Sequence, residues 1–232
     1  MSESPYLQPS VAVRDLDVGS RARFISRTYA HLVGAIVLFT LIEVFLFETG
    51  MAATIAQGLL GVSWLLVLGG FVVVSWLASR VAHVSTSRPA QYAALLGFVV
   101  AESLIFVPLL YLAESVAPGA ITSAAVVTFF GFAGLTVVVF LTRKDFSFLR
   151  GILCWGGISA LVLIAAGVIF GFQLGTFFSV AMVVLAGVAI LYDTSNVLHH
   201  YPEDRYVAAA LELFASVALM LWYVLRLFLS RR

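Results

Sequence analysis

Apolar residues run in seven long blocks separated by short polar breaks, at about residues 24–47, 61–80, 90–112, 119–142, 150–171, 173–198 and 206–229. Each reaches the roughly 20 residues that a helix needs to cross the hydrocarbon of a bilayer. The pattern therefore predicts an all-α integral membrane protein with seven transmembrane helices. Little more than Gly171-Phe172-Gln173 separates the fifth block from the sixth, which predicts a tight helical hairpin. The first 23 residues are polar, carry Arg14, Asp15, Asp17, Arg21 and Arg23, and lack the short apolar core of a cleaved signal. They read as a short mobile tail, 1–23, ahead of one membrane domain, 24–232.

Composition agrees with this pattern. Of 232 residues 62% are hydrophobic and 11% charged, and the mean hydropathy is +1.08, far above what a water-soluble core requires. A net charge of +1 gives no electrostatic case for a nucleic-acid partner. Cys154 is the only cysteine, so neither an internal disulfide nor a cysteine-based zinc site can form, and it reads as a small core residue.

Basic residues orient the spans, because cytoplasmic loops are enriched in arginine and lysine. Arg14, Arg21, Arg23, Arg27, Arg80, Arg88, Arg143, Lys144, Arg150 and Arg205 fall on one side if the spans alternate, and the first, third and fifth loops hold none. This predicts a cytoplasmic N-terminus, and a prokaryotic plasma (inner) membrane is the expected location. Arg226, Arg231 and Arg232 would then lie outside, a mild conflict that a re-entrant last segment would remove. A full crossing is favoured, since the last block is long enough.

Four acids lie within the blocks: Glu43, Glu102, Asp193 and Glu212. Ionised groups are costly in hydrocarbon, so none should face lipid. Glu43 stands about one turn from the end of its span and should reach interfacial water. Glu102 stands near the middle of the third span, six residues before Pro108, and is a candidate intramembrane relay. An antiparallel hairpin of the last two spans would bring Asp193 and Glu212 to the same depth. Gly131 and Gly134, Gly156 and Gly157, and Gly167 and Gly171 are read as sites of close helix packing. His199 and His200 are read as a solvated turn.

The stretch Ile190-Leu191-Tyr192-Asp193, a polar turn, and Ala210-Leu211-Glu212-Leu213-Phe214 resembles the end of the transmembrane Bax inhibitor motif family, also called the Bax inhibitor-1 family. Arg143-Lys144-Asp145-Phe146-Ser147-Phe148-Leu149 is similar to the loop before that family's fifth helix. The resemblance implies a last helix set centrally between two three-helix layers. It also implies a passive calcium path closed by an aspartate pair, of which Asp193 is the first. Ser216 stands where the second is expected.

Two touching carboxyls share one proton and titrate as a unit. A serine has no such proton to share, so Glu212, one turn before Ser216, is the candidate replacement. Arg80, following Trp76, is a possible counter-charge for Asp193, although Ala78 stands where the resemblance places the basic residue. Asp193 and Glu212, with Ser216 and nearby carbonyls, would make a weak calcium transit site.

Three functions follow as expectations. The first is a pH-modulated, low-flux calcium leak needing no cofactor, with the lipid bilayer and calcium as its partners. The second is a non-conducting regulator that binds another membrane protein, such as a protease or a stress-response partner. The third is a proton-coupled transporter using Glu102. No phosphate loop, zinc-protease helix or nucleophile elbow is present, and no enzyme is expected.

Overall fold

A computed structural model describes residues 12–230; the first eleven residues of the tail, and Arg231 and Arg232, lie outside the described residues. Eight α-helices follow in order: α1 (Val18–Glu48), α2 (Met51–Leu60), α3 (Trp64–Val84), α4 (Arg88–Val116), α5 (Ala120–Thr142), α6 (Leu149–Phe170), α7 (Thr176–His199) and α8 (Tyr206–Leu229). All but α2 are long and apolar enough to cross a membrane. The additional helix, α2, lies in the first loop, where Ala52 and Ala56 pack with Leu46 and Val107. At ten residues it is too short to span. Gly50 before it has φ 73°, a left-handed conformation that glycine adopts without steric penalty.

Two layers enclose the last helix. Helix α4 packs against both α1 and α3, α7 packs against both α5 and α6, and α8 touches α1, α3, α4, α5 and α7. Burial matches this arrangement: 67% of the α8 span is buried, against 11% of α3 and 11% of α6. The outer helices leave large side chains facing outward, such as Phe129, Trp155 and Phe177, as lipid permits. Cys154 is also exposed on α6, not in the core. An outer helix surrounded by hydrocarbon has no need to turn a small apolar residue inward.

One end of the bundle gathers the loops rich in arginine. Arg88 donates to the Asp204 carbonyl at 2.6 Å, Arg205 donates to the Ser85 carbonyl, and Arg27 and Arg88 stack on the Tyr206 ring at 5.6 and 4.8 Å. At the opposite end the Thr176 hydroxyl donates to Ser230 at 3.3 Å, so α8 runs the full length of α7 and does not turn back.

The segment ahead of the first span is more ordered than expected from residue 12 onward. Val13 is buried and its N–H donates to the Tyr201 carbonyl at 2.9 Å, while Ala12 bridges Pro202. Asp17 caps α1, accepting from the N–H groups of Gly19 and Ser20 at 2.9 and 3.0 Å. The Ser20 hydroxyl and backbone N–H hold its carboxyl below the ordinary value. Helix α1 thus starts six residues before its apolar block, because a cap and not hydropathy sets where it begins.

Close packing uses one glycine of each expected pair. A side chain added at Gly131 would meet Met220 at 3.2 Å, at Gly156 Leu185 at 2.7 Å, and at Gly167 the Phe172 carbonyl at 3.1 Å. Gly134, Gly157 and Gly171 face open space, and Gly171, at φ 73°, ends α6.

Candidate functional site

On α7, Met182, Ala186, Ile190, Asp193 and Val197 recur at helical spacing and form its buried stripe. Asp193 is the one acid on this stripe. Its Oδ2 accepts a hydrogen bond from the Ser216 hydroxyl of α8 at 2.5 Å, and both residues are buried. The position expected to hold a second aspartate is therefore the one that touches Asp193. Two helices are tied there by a serine–carboxyl bond.

Glu212 does not complete a carboxyl pair. Its Oε1 accepts from the Ser79 hydroxyl of α3 at 2.5 Å and lies 3.7 Å from His83 Nδ1. His83 Nε2 in turn lies 3.3 Å from the Tyr201 hydroxyl. The one-turn offset between Glu212 and Ser216 is enough to give the longer acid a different neighbour. Asp193 and Glu212 nonetheless line one open cavity of about 640 Å³ with His83, Asn196, His200 and Tyr201 at the arginine-rich end. Burial, with the nearby Glu212 and Asp193, pushes the Tyr201 phenol well above its ordinary value.

Arg80, the possible counter-charge, forms no ion pair with Asp193. It is exposed, its guanidinium lies 5.3 Å from the Trp76 ring centre, and no ion pair joins it to an acid among the described residues. Successive helical residues point about 100° apart, so α3 turns Ser79 inward and Arg80 outward. Ser79 and His83, four apart on one face, were the readable signal on α3, and Ala78 and Ala82 beside them are buried.

The loop before α6 closes one side of this end. His200 Nε2 lies 2.9 Å from Asp145 Oδ2, and the Phe146 N–H donates to the Ser195 hydroxyl at 2.9 Å. His200 is thus in contact with an acid and not only a solvated turn. Burial raises the Asp145 carboxyl, but bonds from the Ser147 N–H, His200 and the Ser147 hydroxyl outweigh it and hold the group at about 2. This contribution to stability is complete above the ordinary value of 3.8 and is lost as pH falls through about 2. Asp145→Asn should lower the stability at pH 6 by less than about 1 kcal/mol for so exposed a pair, read as a slightly lower melting midpoint. The two proteins should converge near pH 2 in a series of thermal melts.

Glu43 and Glu102 lie apart from this cavity. Glu43, expected to reach interfacial water, is 7% exposed, and neither carboxyl oxygen has a hydrogen-bond partner among the described residues. An unsatisfied buried polar group costs about 1–3 kcal/mol. Glu43→Leu should therefore raise the melting midpoint in detergent by a few degrees; a lower midpoint would show that the acid has a partner. Glu102 is 6% exposed, and its Oε2 is likewise without a partner. It lines a second cavity, of about 410 Å³, toward the opposite end.

One face of α8 lines both cavities. Glu212 belongs to the first, Leu219, Tyr223 and Arg226 to the second, and Ser216 stands between them at the same helical spacing. Ring contacts fix the depth of Glu102: Phe98 meets Phe214 at 6.0 Å, and Phe106 meets Trp222 at 5.0 Å. Glu102 is therefore level with Ala218, about 3 Å along the axis beyond Ser216. No group of three or more His, Cys, Asp or Glu among the described residues is arranged to hold a metal ion.

Seven apolar spans, a central last helix and acids kept off the lipid face define a polytopic helical membrane protein with a polar interior site. The chain belongs to the Bax inhibitor-1 family: the family described as inhibitor of apoptosis-promoting Bax1 matches residues 21–232. It is also similar to an uncharacterized protein of Pseudomonas aeruginosa, 34% identical over 111 residues, which are 47% of this chain and 49% of that relative. The chain thus matches about half the length of this curated relative.

Proposed function

We propose that the protein is a passive, low-flux cation path, with calcium as the transported ion, in a prokaryotic plasma membrane with its N-terminus cytoplasmic. The observation that carries this reading is the single face of α8 that lines two cavities and is interrupted at the Ser216–Asp193 bond. Asp193 and Glu212 supply carboxylates to the cavity at the arginine-rich end, and two acids without a third suit transit better than retention. Closure rests on the Ser216–Asp193 bond, and a cation passes when α7 and α8 part there. Sensitivity to pH comes from the charge of these two acids on the path, Asp193 held by Ser216 and Glu212 by Ser79 beside His83, and not from the closing bond itself.

Calcium flux into reconstituted vesicles tests this reading at neutral and acidic pH. Native flux should be measurable, and Asp193→Asn should change both its size and its pH response. Unchanged flux at every pH would remove Asp193 from the path. No flux in any variant would favour the second function, a regulator that binds another membrane protein.

A further inference from the structure

The second cavity has features that ion transit does not require. Its walls include Trp64, Phe71, Phe106, Trp222 and Tyr223, and its volume of about 410 Å³ falls within the range of small-molecule pockets. It lies between α3 and α6, the two helices least buried in the bundle, so its sides are in reach of the bilayer. Amid these aromatic walls stands Glu102, with a carboxyl oxygen that no group of the described residues satisfies. A buried acid without a partner in an aromatic chamber is complementary to a cation carrying apolar groups.

We propose that this cavity binds a lipophilic organic ammonium ion, with its charged nitrogen at Glu102 and its apolar body among the aromatic rings. Ring faces attract cations, and Trp222, 6.1 Å from Trp64 and 5.0 Å from Phe106 between centroids, offers the densest group of them. Arg226 does not oppose this placement. It lies 5.8 Å from the Tyr223 ring and eight residues beyond the level of Glu102 along α8, or about 12 Å at 1.5 Å per residue. A fatty-acid anion would take the reverse pose, with its head at Arg226, and would leave Glu102 unpaired beside its tail.

The site goes beyond the cation path, and binding is measured without flux, so each reading can fail alone. Equilibrium dialysis of the full chain in detergent uses benzyltrimethylammonium, whose charge is fixed at every pH, with neopentylbenzene as its uncharged isostere. Saturable binding of one ammonium per chain is expected. Glu102→Gln should weaken it at least tenfold while leaving the weak binding of the neutral compound unchanged. Val168→Trp, at an exposed position on the cavity wall, should also reduce ammonium binding with Glu102 intact. Absence of saturable binding, equal affinity for the neutral isostere, or no effect of Glu102→Gln would each overturn the proposal. So would a preference for laurate that is lost in Arg226→Gln.

Discussion

Ser216→Asp should give calcium flux a steep rise with pH that the native chain lacks. The native bond joins a hydroxyl to Asp193 Oδ2 at 2.5 Å, and a hydroxyl can donate or accept. It can therefore hold α7 to α8 whether or not Asp193 carries a proton. An aspartate at 216 removes this tolerance. Two carboxyls in contact cannot both ionise cheaply, so they share a proton and titrate as a pair. While the proton is shared the helices stay latched, and once it leaves, repulsion parts them. Flux should rise by about tenfold per pH unit at its steepest, the limit for one titrating proton. Asp193→Asn in the same background should abolish the rise. A Ser216→Asp protein with the native pH profile would show that closure lies elsewhere.

Most of the architecture was legible because a bilayer constrains it tightly. Every spanning segment must be long, apolar and internally hydrogen-bonded, so length and hydropathy gave the seven spans. Helix α2 was not legible, since ten apolar residues do not span and its partners Leu46 and Val107 come from two other helices. The depth of Asp193 followed from counting along an antiparallel hairpin, and its meeting with position 216 from the family resemblance. The partners of Glu212 did not follow, because the rotation of α3 decides between Ser79 and Arg80, and an outer helix with so few buried residues has little amphipathic pattern to reveal it. Glu43 was misplaced for a related reason. Distance from a span end measures depth, but which side of α1 meets α4 and α8 decides burial.

The same reasoning separates phenylalanines that stabilise the bundle from those that merely suit lipid. Phe106 is 1% exposed and meets Phe39 and Trp222 edge-on at 5.1 and 5.0 Å, so it joins α1, α4 and α8. Phe129 on α5 is 64% exposed and faces outward. In water both replacements by alanine would alter hydrophobic burial, whereas in a membrane the separated helices stay in hydrocarbon and that term nearly cancels. What remains is packing: Phe106→Ala leaves a void of roughly 100 Å³, which at about 24 cal/mol per Å³ costs about 2–3 kcal/mol. The melting midpoint in detergent should fall by roughly 5–10 °C for a chain of this size. Phe129→Ala should leave it within about 2 °C, since its loss opens no internal void. Equal losses in the two variants would mean that α5 uses its outer face for assembly. A small loss at Phe106 alone would mean that α8 shifts to refill the space, and the second cavity would then be softer than its aromatic walls suggest.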